Sequence, residues 1–200
     1  MSKLTDALNR IMNWLEEYQP EHVASYLPGL SRSEIDKLIK PFNLLIPEEI
    51  YELYQWRNGR DSELLDTYIT FGVSIDDFLP LHDAVKEDLI GWINNPQVDG
   101  GFLNTEYEGR TLFPFLGHFD PDLFTISLSS KEEESYPVVS LAEGCDPLPI
   151  CPSVTSMMCM LAEAYETGAY YFNENNNKWI EVNSDKIMQI AKKHGAYINS

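Results

Sequence analysis

Between Leu45 and Gly59 every local signal points to one short helix. Pro47 suits a first turn, where its missing N–H leaves nothing unsatisfied, and Glu48 and Glu49 set negative charge at the positive end of the helix dipole. Ile50, Leu53 and Tyr54 recur at i, i+3 and i+4 and define one apolar face, with Leu45 and Ile46 ahead of it as anchors for the entering chain. Asn58-Gly59 reads as the stop, because Gly adopts the left-handed conformation of a helix end without strain, and Trp56 is placed to close the core edge. Start, stop and face are all written locally, so the rest of the chain must supply a surface for Ile50, Leu53 and Tyr54.

The residues before this stretch predict two more helices. Leu4, Leu8, Ile11, Met12 and Leu15 repeat at helical spacing, Ser2 caps the start and Pro20 ends the pattern, with Trp14 beside the stripe as an edge-of-core ring. Residues 21–30 contain the turn Leu27-Pro28-Gly29-Leu30. Ser31 and Glu34 then form a capping box for a helix from about Arg32 to Lys40, with Ile35, Leu38 and Ile39 inward and Pro41 just past its end.

Beyond Gly59 the secondary structure changes type. Residues 58–66 read as a polar loop and Thr67–Phe71 as a strand, after which Leu81, Val85, Leu89 and Trp92 space a helix to about Trp92. Residues 94–110 read as a long loop or a loose hairpin. Thr111–Leu116, Leu123–Leu128 and Val138–Leu141 are strand-like and close enough in sequence to be antiparallel neighbours. Val154, Met157, Met158, Leu161 and Tyr165 make a helical stripe capped by Ser153 and closed by Gly168, with the methionines filling core gaps. A terminal hairpin of Tyr170-Tyr171-Phe172 and Trp179–Val182 follows, then a helix carrying Ile187, Ile190 and Ala191, with Lys192, Lys193 and His194 at its carbonyl end. The fold expected is α+β: one domain over residues 1–200, a mostly antiparallel sheet packed by amino-terminal and carboxyl-terminal helices.

Charge narrows the partners. Lys and Arg number 14 against 32 Asp and Glu, a formal net charge of −18, which repels phosphate backbones and anionic membranes. Direct nucleic-acid binding and membrane association are therefore not expected. A field of this sign either speeds encounter with a basic protein or a cation, or serves solubility alone. Met1–Asp6 carries no basic-then-apolar leader and no run of about 18 apolar residues occurs, so a cytoplasmic location is expected. Three cysteines, Cys145, Cys151 and Cys159, are odd in number and lie in or beside apolar stretches, as reduced, partly buried thiols would.

Signatures of catalysis are sparse. A Ser or Cys nucleophile needs a base held in reach, and the chain has no Gly-x-Ser-x-Gly elbow, no Cys motif with a His partner and no phosphate-cradling Gly-rich loop. His22, His82, His118 and His194 are scattered, without zinc-ligand spacing. The one local cluster, His118, Asp120 and Asp122, alternates as a ligand set would, but Pro121 favours a turn. No catalytic residue, cofactor or metal is assigned.

Leu27-Pro28-Gly29-Leu30-Ser31, Glu34-Ile35, Ile46-Pro47-Glu48-Glu49-Ile50-Tyr51-Glu52-Leu53-Tyr54 and Asn58-Gly59 resemble, in order and spacing, the amino-terminal signature of the SMI1/KNR4 family, the SUKH superfamily. Phe113-Pro114-Phe115-Leu116, Leu123–Leu128, Pro137-Val138-Val139 and the helix from Ser153 are similar to its later blocks, so the likeness runs over about residues 10–170 and is strongest at 27–59. Where the family commonly carries a Gly-Asp pair, this chain reads Gly117-His118-Phe119-Asp120-Pro121-Asp122. The resemblance implies a non-catalytic protein-binding module: an immunity protein whose acidic surface covers a toxin domain, such as a basic nuclease. A regulatory scaffold in cell-wall or signalling pathways is the competing class, and an undetected hydrolase the remotest. Asp61, Glu63, Asp66, Asp120, Asp122, Glu132, Glu133 and Glu134, all in expected loops, are the candidate partner-binding residues. If the face of the Leu45–Gly59 helix is core, Leu53→Ala should destabilise the protein by about 2–5 kcal/mol in a urea melt, and a cost near zero would place that face in solvent.

Overall fold

Four helices open on a side chain that accepts a backbone N–H, which stops each chain segment at a defined residue. Ser2 accepts from Thr5 N at the head of α1 (Lys3–Tyr18), and Ser31 from Glu34 N at the head of α3 (Arg32–Ile39). Ser153 and Asn183 cap two carboxyl-terminal helices in the same way. At Ser31 the capping box is complete, since the Glu34 carboxylate also accepts from Ser31 N at 2.7 Å. The computed structural model describes residues 1–43, 45–61, 78–86, 107–117, 122–128, 136–142, 145–173 and 179–197. Among these are seven α-helices and eight strands, every pairing between strands antiparallel.

The amino-terminal helices bury the expected faces: Leu4, Leu8, Ile11, Met12 and Leu15 on α1, Ile35 and Ile39 on α3, and Ile50, Leu53 and Tyr54 on α4 (Glu48–Trp56). Pro47 is the residue before α4, one position earlier than its first turn. Pro41 lies within a 3₁₀ turn (Lys40–Phe42) that extends α3. Ile46 packs on the core as an anchor, whereas Leu45 is 62% exposed and anchors nothing.

Two expectations for this region are corrected. Residues 21–30 are not merely a turn: Pro20–Ala24 forms α2 and Tyr26–Pro28 forms β1. Asn58-Gly59 is not a helix stop either, because α4 ends at Trp56 and the chain passes directly into β2 (Arg57–Arg60), which pairs with β1. Tyr26 faces Arg60 and Pro28 faces Arg57, so Asn58 and Gly59 together oppose one residue and form a β-bulge. Gly59 does have the expected left-handed backbone, at φ +74. Its second constraint is space, since a Cβ there would lie 2.2 Å from Pro80 N. Gly29 is equally close to α4, where a Cβ would sit 1.9 Å from the Gln55 carbonyl oxygen, and Leu30 N donates to Tyr54 O at 2.9 Å. The Leu27–Leu30 segment thereby supplies a partner for a carbonyl that α4 leaves open at its end.

The main sheet has four strands in the order β3 (Thr111–Gly117), β4 (Asp122–Leu128), β5 (Val138–Ala142) and β6 (Leu148–Cys151). The first three were expected; β6 was not, because Pro149 within it weakens a strand reading. Two residues with positive φ, Glu108 and Gly109, make a tight turn into β3. Phe115 is skipped by the pairing with β4, and its carbonyl accepts from Leu79 N at 3.0 Å. The Phe78 carbonyl accepts from Arg60 N, which links β2 to the edge of this sheet. One sheet face, with Phe113, Ile126, Leu128 and Val138, joins the main core, and the other carries a smaller cluster of Leu112, Leu123, Val139 and Leu141. The helix expected up to Trp92 spans Leu81–Ala84 (α5), and its Leu89 and Trp92, like the Thr67–Phe71 strand, fall outside the described residues.

Between the sheet and α1 lies α6 (Val154–Glu166), with Val154, Met157, Met158, Met160, Leu161, Ala162, Ala164 and Tyr165 buried. It ends as expected at Gly168, φ +69, with Ala169 N on Ala164 O. The expected terminal hairpin is β7 (Tyr170–Asn173) with β8 (Trp179–Val182), followed by α7 (Ser184–Lys193), which packs on α6. The chain then reaches back, and Tyr197 N donates to Ile150 O of β6.

The two kinds of glycine separate experimentally. Gly59→Ala combines left-handed strain with collision against backbone and should cost roughly 2–5 kcal/mol. Gly168→Ala has open space beside it and should cost only about 1–2 kcal/mol. Urea midpoints of the two variants measure the contrast, and equal losses would reject the Pro80 contact.

Candidate partner-binding surface

Of the candidate carboxylates, Asp61 and Asp122 are among the described residues; Glu63, Asp66, Asp120, Glu132, Glu133 and Glu134 lie outside them, as does His118. Asp61 lies outside helix and strand, as a loop residue would, whereas Asp122 lies in a strand, which corrects the expectation for that residue. Asp61 follows β2 directly, is half-buried, and its N–H donates to Ser25 O at 3.1 Å. Asp122 is the first residue of β4, opposite Ala142 of β5. The described structure sets these two carboxylates on different segments, one just after β2 and one at the head of β4.

What it gathers beside Asp61 is a buried polar group that has no motif in the sequence. Gln19, His22, Ser25 and Arg60 are all under 9% exposed. Arg60 Nε donates to Ser25 Oγ at 2.7 Å, and Ser25 Oγ donates to His22 O at 2.6 Å. The guanidinium also lies 5.8 Å from the Tyr26 ring. A buried charge persists only when its donors are held, so this set locks α2 and β1 to β2. Arg60 reads as a loop residue in the sequence because its burial depends on the pairing of β1 with β2.

The described basic side chains are largely engaged within the molecule. Arg10 pairs with Glu166, Arg32 with Glu48, Lys86 with Asp83, Arg110 with Glu108, and Lys193 with Glu163. Lys186 donates to Thr167 O. Many carboxylates are internal partners too: Glu52 accepts from Thr5 N and Oγ1 at 2.9 and 2.5 Å, Glu49 from Thr155 N, and Asp36 from Tyr51 OH. Burial raises the Glu52 pKa, but the Ser2 and Thr5 donors outweigh it and leave the group below the usual carboxylate range. Burial, with Asp36 beside it, pushes Tyr51 up to about 12. Glu16, Glu17 and Glu21 are different, for they are exposed and have no hydrogen bond or ion pair among the described residues.

One further cluster has the residue types of acyl transfer. Glu163 accepts from Lys193 Nζ at 2.8 Å and lies 2.7 Å from His194 Nε2, while Ser156 stands nearby. The Ser156 hydroxyl, however, donates to the His194 backbone carbonyl and not to its ring, so the nucleophile-to-base bond of a triad is not formed. The cluster instead clamps α7 to α6. Among the thiols, Cys151 is buried and pushed up to about 11 by that burial, and Cys159 is partly buried and raised for the same reason. Neither is poised as a thiolate. Cys145 is exposed, which corrects the expectation of partial burial. Among the described residues no three His, Cys, Asp or Glu side chains are grouped to hold a metal ion, and no helix is long and apolar enough to cross a membrane.

Neither a protein-family model nor a curated protein matches the chain.

The clamp makes a pH prediction. Hydrogen bonds from Lys193, then His194, hold the Glu163 carboxyl below its ordinary value. A depressed carboxylate stabilises the fold above its unfolded pKa, near 4.5, and that contribution is lost as pH falls through the folded value. Glu163→Gln should therefore cost about 0.5–1 kcal/mol at pH 7, a modest figure for a partly exposed group, and the gap from wild type should close below about pH 4. Thermal melts at pH 7 and pH 3.5 test it, and a gap independent of pH would reject it.

Proposed function

We propose that this chain is a non-catalytic protein-binding module that neutralises a toxin domain of opposite charge, such as a basic nuclease, as its resemblance to the SMI1/KNR4 family implies. The observation that carries this reading is the charge balance: a net charge of −18 in a fold whose Arg10, Arg32, Lys86, Arg110 and Lys193 are spent on internal ion pairs. A net charge of this size makes the protein's field anionic, which accelerates encounter with a cationic protein and disfavours nucleic acid. An acidic module seated over a nuclease would occupy the surface that otherwise meets phosphate.

Genomic neighbourhood supplies the partner to test, namely the product of an adjacent toxin gene with a basic carboxyl-terminal domain. Co-expression should protect cells. The association rate should fall about tenfold or more between low and high salt while dissociation changes less, because screening removes steering beyond about 8–10 Å near physiological salt. Replacing Asp120, Asp122, Glu132, Glu133 and Glu134 by Asn or Gln should lower the on-rate with little change in melting temperature. Failure to protect, or salt-independent association, would replace this reading with the scaffold one.

A further inference from the structure

A run of aromatic rings leads from the core to the surface at the end of α1. Tyr170 and Tyr165, both buried, have ring centroids 5.1 Å apart, and Trp14 lies 4.7 Å from Tyr165. Outward, Tyr18 is 4.5 Å from Trp14, and Phe172 of β7 is 6.0 Å from Tyr18. Tyr18 is 41% exposed, and Trp14 and Phe172 are half-buried. Because the inner rings brace the outer ones, contact here would sacrifice little side-chain freedom, the property of aromatic anchors at interfaces.

The charges at this face are those that the fold itself does not use. Glu17 adjoins Tyr18 and flanks the Trp14–Tyr18 pair on the helix surface, and Glu21 lies in the first turn of α2 just beyond. The last turn of α1 has no basic residue, so Glu16 and Glu17 sit at the negative end of the dipole, an unfavourable placement. The molecule also shows how such a site receives a cation. Arg32 lies 3.8 Å over the Tyr51 ring and pairs with Glu48 at 2.7 Å.

We infer that Trp14, Tyr18 and Phe172, with Glu17 three residues along α1 from Trp14 and Glu21 on the adjoining α2, form the docking surface for an arginine-bearing segment of a cationic protein partner. A guanidinium stacks on Tyr18, and its charge meets Glu17 and Glu21 as Arg32 meets Tyr51 and Glu48. This rests on the reading of the chain as a protein-binding module and gives that module a contact face distinct from the loop carboxylates.

The test uses the full chain and a synthetic Arg-Gly repeat dodecapeptide, with the Asp-Gly repeat as control, followed by amide and indole NMR shifts and by calorimetry at low salt. The Arg-Gly peptide is expected to shift the Trp14 indole N–H and the amides of residues 14–21 and 171–172. Tyr18→Ser and Glu17→Lys should each weaken it at least about fivefold, with melting temperatures near wild type. Glu16→Lys, on the opposite flank of α1, should weaken it less than about twofold. Unchanged affinity in both Tyr18→Ser and Glu17→Lys, or shifts confined to other residues, would overturn the docking face and leave the protein-binding reading standing. Failure of the wild-type chain to prefer the Arg-Gly peptide over the Asp-Gly peptide would overturn the face together with its electrostatic basis.

Discussion

The burial of α6 on nearly all sides is the constraint on which the other elements depend. Eight of its thirteen residues are buried, and they meet α1, α4, α7, β6 and β7. An apolar helix of this kind cannot rest on one neighbour, so the sheet, the amino-terminal helices and the terminal hairpin are all required to exclude water from it. Its three buried methionines, Met157, Met158 and Met160, suit a position that must conform to several surfaces at once, because an unbranched side chain adapts to irregular gaps.

Around this centre, the polar contacts act as ties between elements distant in sequence. Arg60 joins β2 to α2 through Ser25, Glu52 joins α4 to the head of α1, and Glu49 reaches Thr155 at the head of α6. Arg10 and Glu166 link α1 to the far end of α6, and Glu163 holds the end of α7. Each tie consumes a charge or a helix-end donor, and among the described residues Glu16, Glu17 and Glu21 are left outside these ties. That division is what the proposed docking face at Glu17 and Glu21 draws on.

Close backbone approaches impose a second kind of order. Gly29 meets the carbonyl of Gln55 and Gly59 meets Pro80, so β1, the end of α4, β2 and the entry to α5 converge without room for a side chain. The same convergence buries Arg60 and brings Asp61 beside Ser25. Backbone geometry here dictates which charged residues are interior and which remain available to a partner.

Sequence alone determined the elements whose instructions are local. The caps at Ser2, Ser31 and Ser153, the apolar stripes of α1, α3, α4 and α6, the three strands β3 to β5 and the left-handed Gly59 each follow from residues within a turn or two of one another. Tertiary structure decided whatever depends on a distant partner. β1, three residues ending in Pro28, and the polar β2 are too short to announce themselves and exist because they pair with each other, while β6 holds despite Pro149 because β5 and Tyr197 pair with it. The buried Arg60 set and the Trp14, Tyr18 and Phe172 face were invisible for the same reason: their members lie far apart along the chain or read as loop and edge-of-core residues. Local propensity speaks for a few residues at a time, whereas burial and electrostatic environment are properties of the whole packing.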